Sequence, residues 1–377
     1  VSTAAPVARR RLLERFASLC RAYSPSRAER ACAELVQAEL AALGVTVEED
    51  GAAEALGGDC GNLLARIPGG GEGSVLLCAH MDTVPASGPI EPVLRDDGWE
   101  NANDTILGAD NKMAVAVLLE LAQQLVAEPA QASVELLFTV GEEIGLLGAK
   151  EFETGILRSP VGYTFDAALP LGSLIVASPT YYRVTAELRG VAAHAGVNPE
   201  TGRSAILAAA RAISRMQLGR LDPETTANIG TIEGGSAVNI VPDRCKLVGE
   251  ARSIDAARAE ELASSLVACL ADAANDPQCE CDLDVTLERI FDGYRVRPSA
   301  PELVLARAAL ASCGLAPDLT FSGGGSDVNA LRAKGCAVLN FGNGTERPHE
   351  PTERVSVAAL EGTLKLARAL VALSGTG

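Results

Sequence analysis

Short runs of consecutive apolar residues recur along the first half of the chain, each closed by polar or acidic residues. VTVEE, NLLARI, SVLLCAH, SVELLFTV and VGYTFD are such runs, and they predict strands. Between the third and the fourth, residues 110–127 (DNKMAVAVLLELAQQLVA) carry a helix-length apolar pattern. The first 45 residues set Glu and Arg on one face and Leu and Ala on the other, predicting two helices, the second announced by Ser24-Pro25-Ser26 and closed by Gly44. This alternation predicts an α/β fold: a mixed, mostly parallel sheet with flanking helices. Ligands of such sheets gather beyond the carboxyl ends of the strands. His80 follows SVLLCA, Glu142 and Glu143 follow VELLFTV, and Asp166 follows VGYTF, so all four are expected on one rim.

The texture changes near residue 179. YYRVTAELRG, a helix over 203–217, TTANIGTIEGG, VNIVPDRCKLVGEARSI, a helix over 256–275 and CDLDVTLERI follow in β-α-β-β-α-β order, a ferredoxin-like arrangement. The α/β pattern resumes with a helix over 301–313, DLTFSGGGSD, CAVLNFG and a helix over 354–373. The expected organisation is a first domain formed by residues 1–178 and 292–377, interrupted by a small α+β domain at 179–291. Neither an internal repeat nor a low-complexity tract is visible.

Composition narrows the partners. A formal charge of −17 opposes binding to nucleic acid or anionic membrane. The arginines at 9–11 lead into LLERF rather than the apolar core of a signal peptide, and no uncharged run reaches about 18 residues. The ten cysteines are scattered through apolar segments and read as reduced and buried, so a cytoplasmic protein is expected. Cys279 and Cys281 form a C-x-C without a second pair, a poor zinc signal.

The chemistry lies in short polar motifs. All three histidines sit in such motifs: His80 in AHMDTV, His194 in VAAHAGVNP and His349 in ERPHEPTER. A ligating imidazole needs its second nitrogen held by an acceptor, a part that Asp82 can take. Asp110 opens a helix and reads either as an N-cap or as a metal ligand. Glu142 and Glu143 stand between Gly141 and Gly145; adjacent acids at a strand end repel each other and gain from a cation, one ligating while the other acts as base. SGGGSD at 322–327 has no Lys-Ser/Thr after it and is not a phosphate loop, though its backbone amides suit a substrate carboxylate or carbonyl. His194, taken alone, reads as a surface histidine.

AHMDTV, LGADNK, VGEEIG, YTFDA, AHAG, NIVP, GGGSD and H-x-x-x-E, in that order across nearly the whole chain, resemble a family of dizinc exopeptidases and amidohydrolases. It includes carboxypeptidase G, succinyl-diaminopimelate desuccinylase and peptidase T, and the pairing of LGADNK with GGGSD-x-N is most similar to the peptidase T-like branch. The resemblance implies His80 and Asp166 on one metal, Glu143 and His349 on the other, and Asp110 bridging both. It implies that Asp82 orients His80 and that Glu142 is the general base. It further implies a homodimer through the inserted domain, which lends His194 to the neighbouring active site. Asn239 and Arg252, with Gly324 and Gly325 nearby, match positions that bind the substrate carboxylate. Zinc is the implied metal, with cobalt or manganese as substitutes. Aspartate at position 166 goes with aminopeptidases and dipeptidases, glutamate with carboxypeptidases and deacylases. The expected activity is therefore that of a peptidase T-like di- or tripeptidase. The alternatives are an N-acyl-amino-acid deacylase or glutamate-type carboxypeptidase and, more remotely, a catalytically silent metal-binding homologue. One departure stands out: the branch reads H-T-x-E after the last ligand, whereas here His349 is followed by Glu-Pro-Thr-Glu, so a reshaped pocket wall is expected.

Overall fold

A computed structural model describes residues 4–375 of the chain. The described residues separate into two compact units: 4–176, 296–321 and 326–375, and 177–295 with 322–325.

The first unit is built on a mixed sheet. Its central strands are Ser133–Thr139, Ser74–His80, Gly162–Ala167 and Val338–Gly342, in that spatial order and parallel throughout. Antiparallel strands extend it on both sides: Leu63–Ile67 and then Val47–Glu49 beyond Ser133–Thr139, and Ser173–Ser178 beyond Val338–Gly342. The central strands are continuous apolar runs because both faces of a parallel sheet are covered; six of the seven residues in Ser74–His80 are buried. The helix Ala109–Ala127 packs on Ser74–His80 and against the helices Ala4–Arg21 and Val357–Ser374. It is apolar nearly all round and correspondingly buried. Its one buried acid at mid-length, Glu120, is held by Arg11 and Arg15 of the N-terminal helix, each at 2.5 Å. Lys112 is also buried, and its ammonium donates to the carbonyls of Leu19 and Ala22, capping the end of that same helix.

Two elements differ from the sequence expectation, and one open reading is narrowed. The second helix spans Arg30–Ala42, so Ser24-Pro25-Ser26 form a turn ahead of it, with the Ser24 hydroxyl donating to the Met81 carbonyl. Of the two readings left open for Asp110, the structure does not show the cap: Oδ1 makes no hydrogen bond and Oδ2 faces His349, although the backbone there is non-helical. The last helix starts at Val357 rather than 354, because Arg354–Ser356 forms a strand. That strand belongs to a small antiparallel sheet, Thr345–Glu346, Arg354–Ser356, Gly98–Asn101 and Pro92–Arg95, which anchors both ends of the loop bearing His349.

The second unit is a five-stranded antiparallel sheet ordered Gly219–Asp222, Thr225–Gly234, Arg244–Ser253, Thr180–Arg189 and Asp282–Phe291. Without the short first strand, which the sequence pattern did not reveal, this is the order of a ferredoxin-like fold. In Thr180–Arg189 the residues Val184, Ala186 and Leu188 are buried while their neighbours face outward. The buried face is covered by the helices Ala205–Arg215 and Ala256–Ala274, whose Ala208, Ala212, Leu262 and Leu266 complete a core separate from that of the first unit.

The ten cysteines are unpaired. Among the described residues no helix is long and apolar enough to cross a membrane.

Candidate metal centre

Sheet register brings the carboxyl ends together. His80 pairs with Thr139, so Gly141 to Glu143 begin two residues beyond it; two residues past the pairing of Cys78 with Thr164 stand His80 and Asp166. His80 is buried. Its Nε2 lies 3.2 Å from Asp166 Oδ1 and 3.3 Å from Asp110 Oδ1. The other Asp110 oxygen faces the second imidazole, with His349 Nε2 at 3.5 Å from Oδ2 and 2.9 Å from Glu143 Oε1. Asp110 therefore stands between two imidazoles, one oxygen towards each. One nitrogen or oxygen from each of His80, Asp110 and Glu143 lies within 4.8 Å of the others, the spacing of groups able to share a cation.

Asp82 holds this arrangement from behind. Nδ1 of His80 sits 3.0 Å from the Asp82 carbonyl and 3.3 Å from its Oδ1. Oδ1 accepts the Glu142 amide at 3.0 Å, and Oδ2 accepts the Glu143 amide at 3.1 Å and the Ser26 hydroxyl at 2.6 Å. One buried carboxylate thus fixes both the ring of His80 and the turn that carries the two glutamates. Gly141 makes that turn possible with φ +61°.

The concentration of charge shows in the ionisation of the cluster. Burial lowers the proton affinity of His80, but Asp166, Asp110 and Asp82 outweigh it and hold the imidazole well above its usual range. His349 is raised to about 10 by its contacts with Asp110 and Glu143. Burial pushes Asp166 up to about 7, against the pull of His80 and with Asp110 and Asp327 reinforcing it. Burial also holds the Glu142 carboxyl well above the carboxylate range, with Asp166, Asp327 and Glu143 adding to it against His80. Asp110 goes the other way: burial raises it, and the two imidazoles more than reverse that. Raised proton affinity at so many neighbouring groups is what a concentration of negative charge produces, and it is the kind of site a cation would stabilise.

Several supporting residues, two of them inside the quoted motifs, have no role assigned from sequence. Glu353 is buried; its Oε2 accepts the amides of Leu107 and Gly108 at 2.8 and 2.7 Å, and its Oε1 accepts that of Asp110 at 2.9 Å. It is the final acid of H-x-x-x-E, whose spacing alone does not disclose a partner 243 residues upstream. Asn340 accepts the Asp166 amide at 2.9 Å. Asp327, buried behind the cluster, accepts the Thr139 hydroxyl at 2.5 Å.

His194, Asn239, Arg252, Gly324 and Gly325 lie in the second unit. His194 is exposed, and its Nδ1 accepts the Gly196 amide at 3.1 Å, which leaves Nε2 as the protonated, donating nitrogen. Asn239 is exposed too, and is brought beside it: its carbonyl accepts the Ala195 amide at 2.9 Å. Arg252 stacks on the Tyr181 ring, 4.2 Å from its centroid, and donates to the Gly323 carbonyl at 3.2 Å, so it does adjoin the glycine loop. Two of its nitrogens are bound to Glu250, at 3.2 and 2.9 Å. The expectation that the SGGGSD amides are open is corrected in part: Gly324 donates to the Ser322 hydroxyl, and Ser326 donates to the Asn329 side chain in a capping box. Gly325 is required by close packing, since a Cβ there would meet the Phe291 ring at 2.4 Å.

Known proteins share this architecture. Residues 76–373 match the description of peptidase family M20/M25/M40. The protein YqjE of Bacillus subtilis is 35% identical over 364 residues, covering 96% of this chain and 98% of its own length. The crystal structure of aminopeptidase PepT from Bacillus cereus superposes with a TM-score of 0.88 at 34% identity, over 97% of this chain and 98% of that one. A tripeptidase from Staphylococcus aureus gives a TM-score of 0.93 at 32% identity, over 98% and 99%. With the residues gathered at the strand ends, these likenesses establish that the chain belongs to peptidase family M20/M25/M40 and is a metal-dependent hydrolase of the peptidase class.

Proposed function

We propose that this protein is a peptidase T-like aminopeptidase that releases residues from di- or tripeptides at a dinuclear metal site. The observation that carries the reading is Asp110, whose two oxygens face His80 and His349 separately while Asp166 and Glu143 complete the two groups. The donor set fits: Asp110 Oδ1 is buried and makes no hydrogen bond, as a ligating oxygen requires. In this reading His80 and Asp166 hold one ion, Glu143 and His349 the other, and Asp110 bridges them. Imidazole and carboxylate without sulfur favour zinc, with cobalt or manganese able to substitute. When bound, such ions supply Lewis-acid charge and acidify water.

The remaining steps belong to side chains. Glu142, unpaired with any cationic side chain in its turn and rich in proton affinity, takes the proton of the attacking water and delivers it to the leaving amine. Asp82 keeps His80 and the glutamate turn in register while this happens. His194, with Nε2 as donor, is positioned chemically to stabilise an oxyanion, supplied by a second subunit. Arg252, Asn239 and the Gly324-Gly325 loop receive the substrate carboxylate. The partner subunit docks through the second unit, where Ile232, Val238 and Ile240 lie exposed. A cytoplasmic location accords with ten unpaired cysteines.

The test is hydrolysis by the zinc- or cobalt-loaded protein of di- and tripeptides, the same peptides N-acetylated, and N-acetyl and N-succinyl amino acids. Cleavage that requires a free amino terminus supports the aminopeptidase reading. Turnover restricted to N-acylated compounds moves the protein to the deacylases and removes the weight placed on Asp166.

A further inference from the structure

A second cluster of ligand-type side chains lies in the first unit, apart from the centre described above. Glu29 precedes the helix Arg30–Ala42, and Asp59 and Cys60 belong to the turn that leads into the strand Leu63–Ile67. A carboxylate oxygen of Glu29, one of Asp59 and the Cys60 sulfur lie within 4.8 Å of one another. Glu29 and Cys60 are each 1% exposed, whereas Asp59 is open to solvent. The contacts of these groups leave a gap. Glu29 Oε1 accepts the Gly141 amide at 2.9 Å, but Oε2 is buried without any hydrogen bond. An ionised oxygen in that position is costly unless something positive meets it. Arg30 does not: its guanidinium is committed to Glu49 and to the Asp59 carbonyl, while its amide donates to Asp59 Oδ1.

We propose that Glu29, Asp59 and Cys60 form a binding site for a thiophilic divalent cation of the zinc class. One thiolate and two carboxylates exclude magnesium and calcium as preferred occupants and select zinc, cobalt or cadmium. The exposed side at Asp59 provides both an entry path and room for a water as further ligand. The ion's effect reaches the catalytic turn through Glu29, because the oxygen that does not ligate holds the amide of Gly141, next to Glu142 and Glu143. Burial, with Glu29 and Asp59 beside it, pushes the Cys60 thiol up, so loading displaces its proton and tightens as pH rises.

Cobalt titration of the full-length protein tests this. The candidate catalytic cluster consists of imidazoles and carboxylates, so sulfur-to-cobalt charge-transfer absorption in the near ultraviolet reports Cys60 and stays silent about the centre at Asp110. The expected result is a band whose full amplitude corresponds to one cobalt–thiolate site per chain, whatever cobalt the centre at Asp110 also takes up, that vanishes in Cys60→Ser, and that in Asp59→Asn requires at least about tenfold more cobalt. Thermal unfolding of the metal-free variants alongside the metal-free parent separates lost ligation from lost folding. Absence of the band in the parent protein, or its survival in Cys60→Ser, overturns the proposal whatever the peptide panel returns.

Discussion

Glu353 accepts the backbone amide of Asp110 at 2.9 Å, joining the loop after His349 to the start of the helix that presents the shared carboxylate. The same side chain takes the amides of Leu107 and Gly108, so three donors converge on one buried acid. In Glu353→Gln one acceptor oxygen becomes a donor facing an amide N–H. Metal affinity is expected to fall roughly 10- to 100-fold, the usual cost of removing an outer group that orients a ligand. Competition against a chromophoric chelator measures it, and unchanged affinity would detach Glu353 from the site.

Glu142→Gln keeps the shape of the turn while removing the proposed base. Turnover is expected to drop by about 10² to 10⁴, with metal content and KM little altered. Elemental analysis of the purified variant, together with steady-state kinetics, distinguishes this from loss of the ions. Hydrolysis near the parent rate would assign the proton transfer elsewhere.

Stability of the metal-free protein should rise as pH falls from about 8 to about 5.5. Burial first, then neighbouring charge, raises Asp166 and Glu353 to about 7 and Asp327 to about 6 from ordinary values of 3.8 and 4.5, so the folded chain binds protons that the unfolded chain has released. Each such group contributes stability fully below its unfolded value and loses it as pH rises through the folded one, at about 1.4 kcal/mol per pH unit for each proton bound in excess. His80 and His349 act in the same direction: their contribution is complete below 6.5 and is lost on the alkaline side, near 10 for His349. Asp110, being lowered, acts oppositely, but only below 3.8. Scanning calorimetry of chelated protein should record this slope, and saturating zinc should weaken it because bound ions hold Asp166 and the two imidazoles deprotonated. A flat profile without metal would contradict the ionisation described.

Glu120→Ala is expected to destabilise the fold, by at most about 3–5 kcal/mol, since it removes the buried partner of Arg11 and of the 9%-exposed Arg15, which keeps Glu39. Urea denaturation measures the loss. Replacing Arg15 and Glu120 together by leucine should recover much of it, because the desolvation of both charges is then relieved. Equal destabilisation by the single and the paired change would mean that packing, rather than the charge, fixes this helix.

What the sequence discloses, and what it withholds, follows from distance along the chain. The central strands are legible because SVLLCAH and SVELLFTV are mostly apolar runs, broken only by Glu135, as a sheet covered on both faces demands. The proposed ligands are legible because acids and histidines terminate those runs. Asp110 is ambiguous in sequence since a helix opening explains it equally well; only the contacts of its carboxylate, which takes no helix amide and faces the two imidazoles, show that it does not cap. The roles of Ser26, Glu29, Asn340 and Glu353 are invisible, because the groups they hold are Asp82, Gly141, Asp166 and Asp110, each more than about fifty residues away. Lys112 in LGADNK is polar and next to the site in sequence, yet its ammonium serves the end of the N-terminal helix.

The parallel edge of Gly162–Ala167 is completed by Val338–Gly342, which the chain supplies only after the whole second unit. During synthesis that edge stays open while residues 168–337 are made, on the order of ten to thirty seconds at ordinary elongation rates. The second unit has a core of its own and can fold in that interval. The nascent first unit meanwhile carries a largely buried strand with one edge open, the stage at which aggregation or a chaperone competes for it. Heat or mutation that slows closure by the last strand should therefore reduce yield before it reduces the activity of the protein that survives.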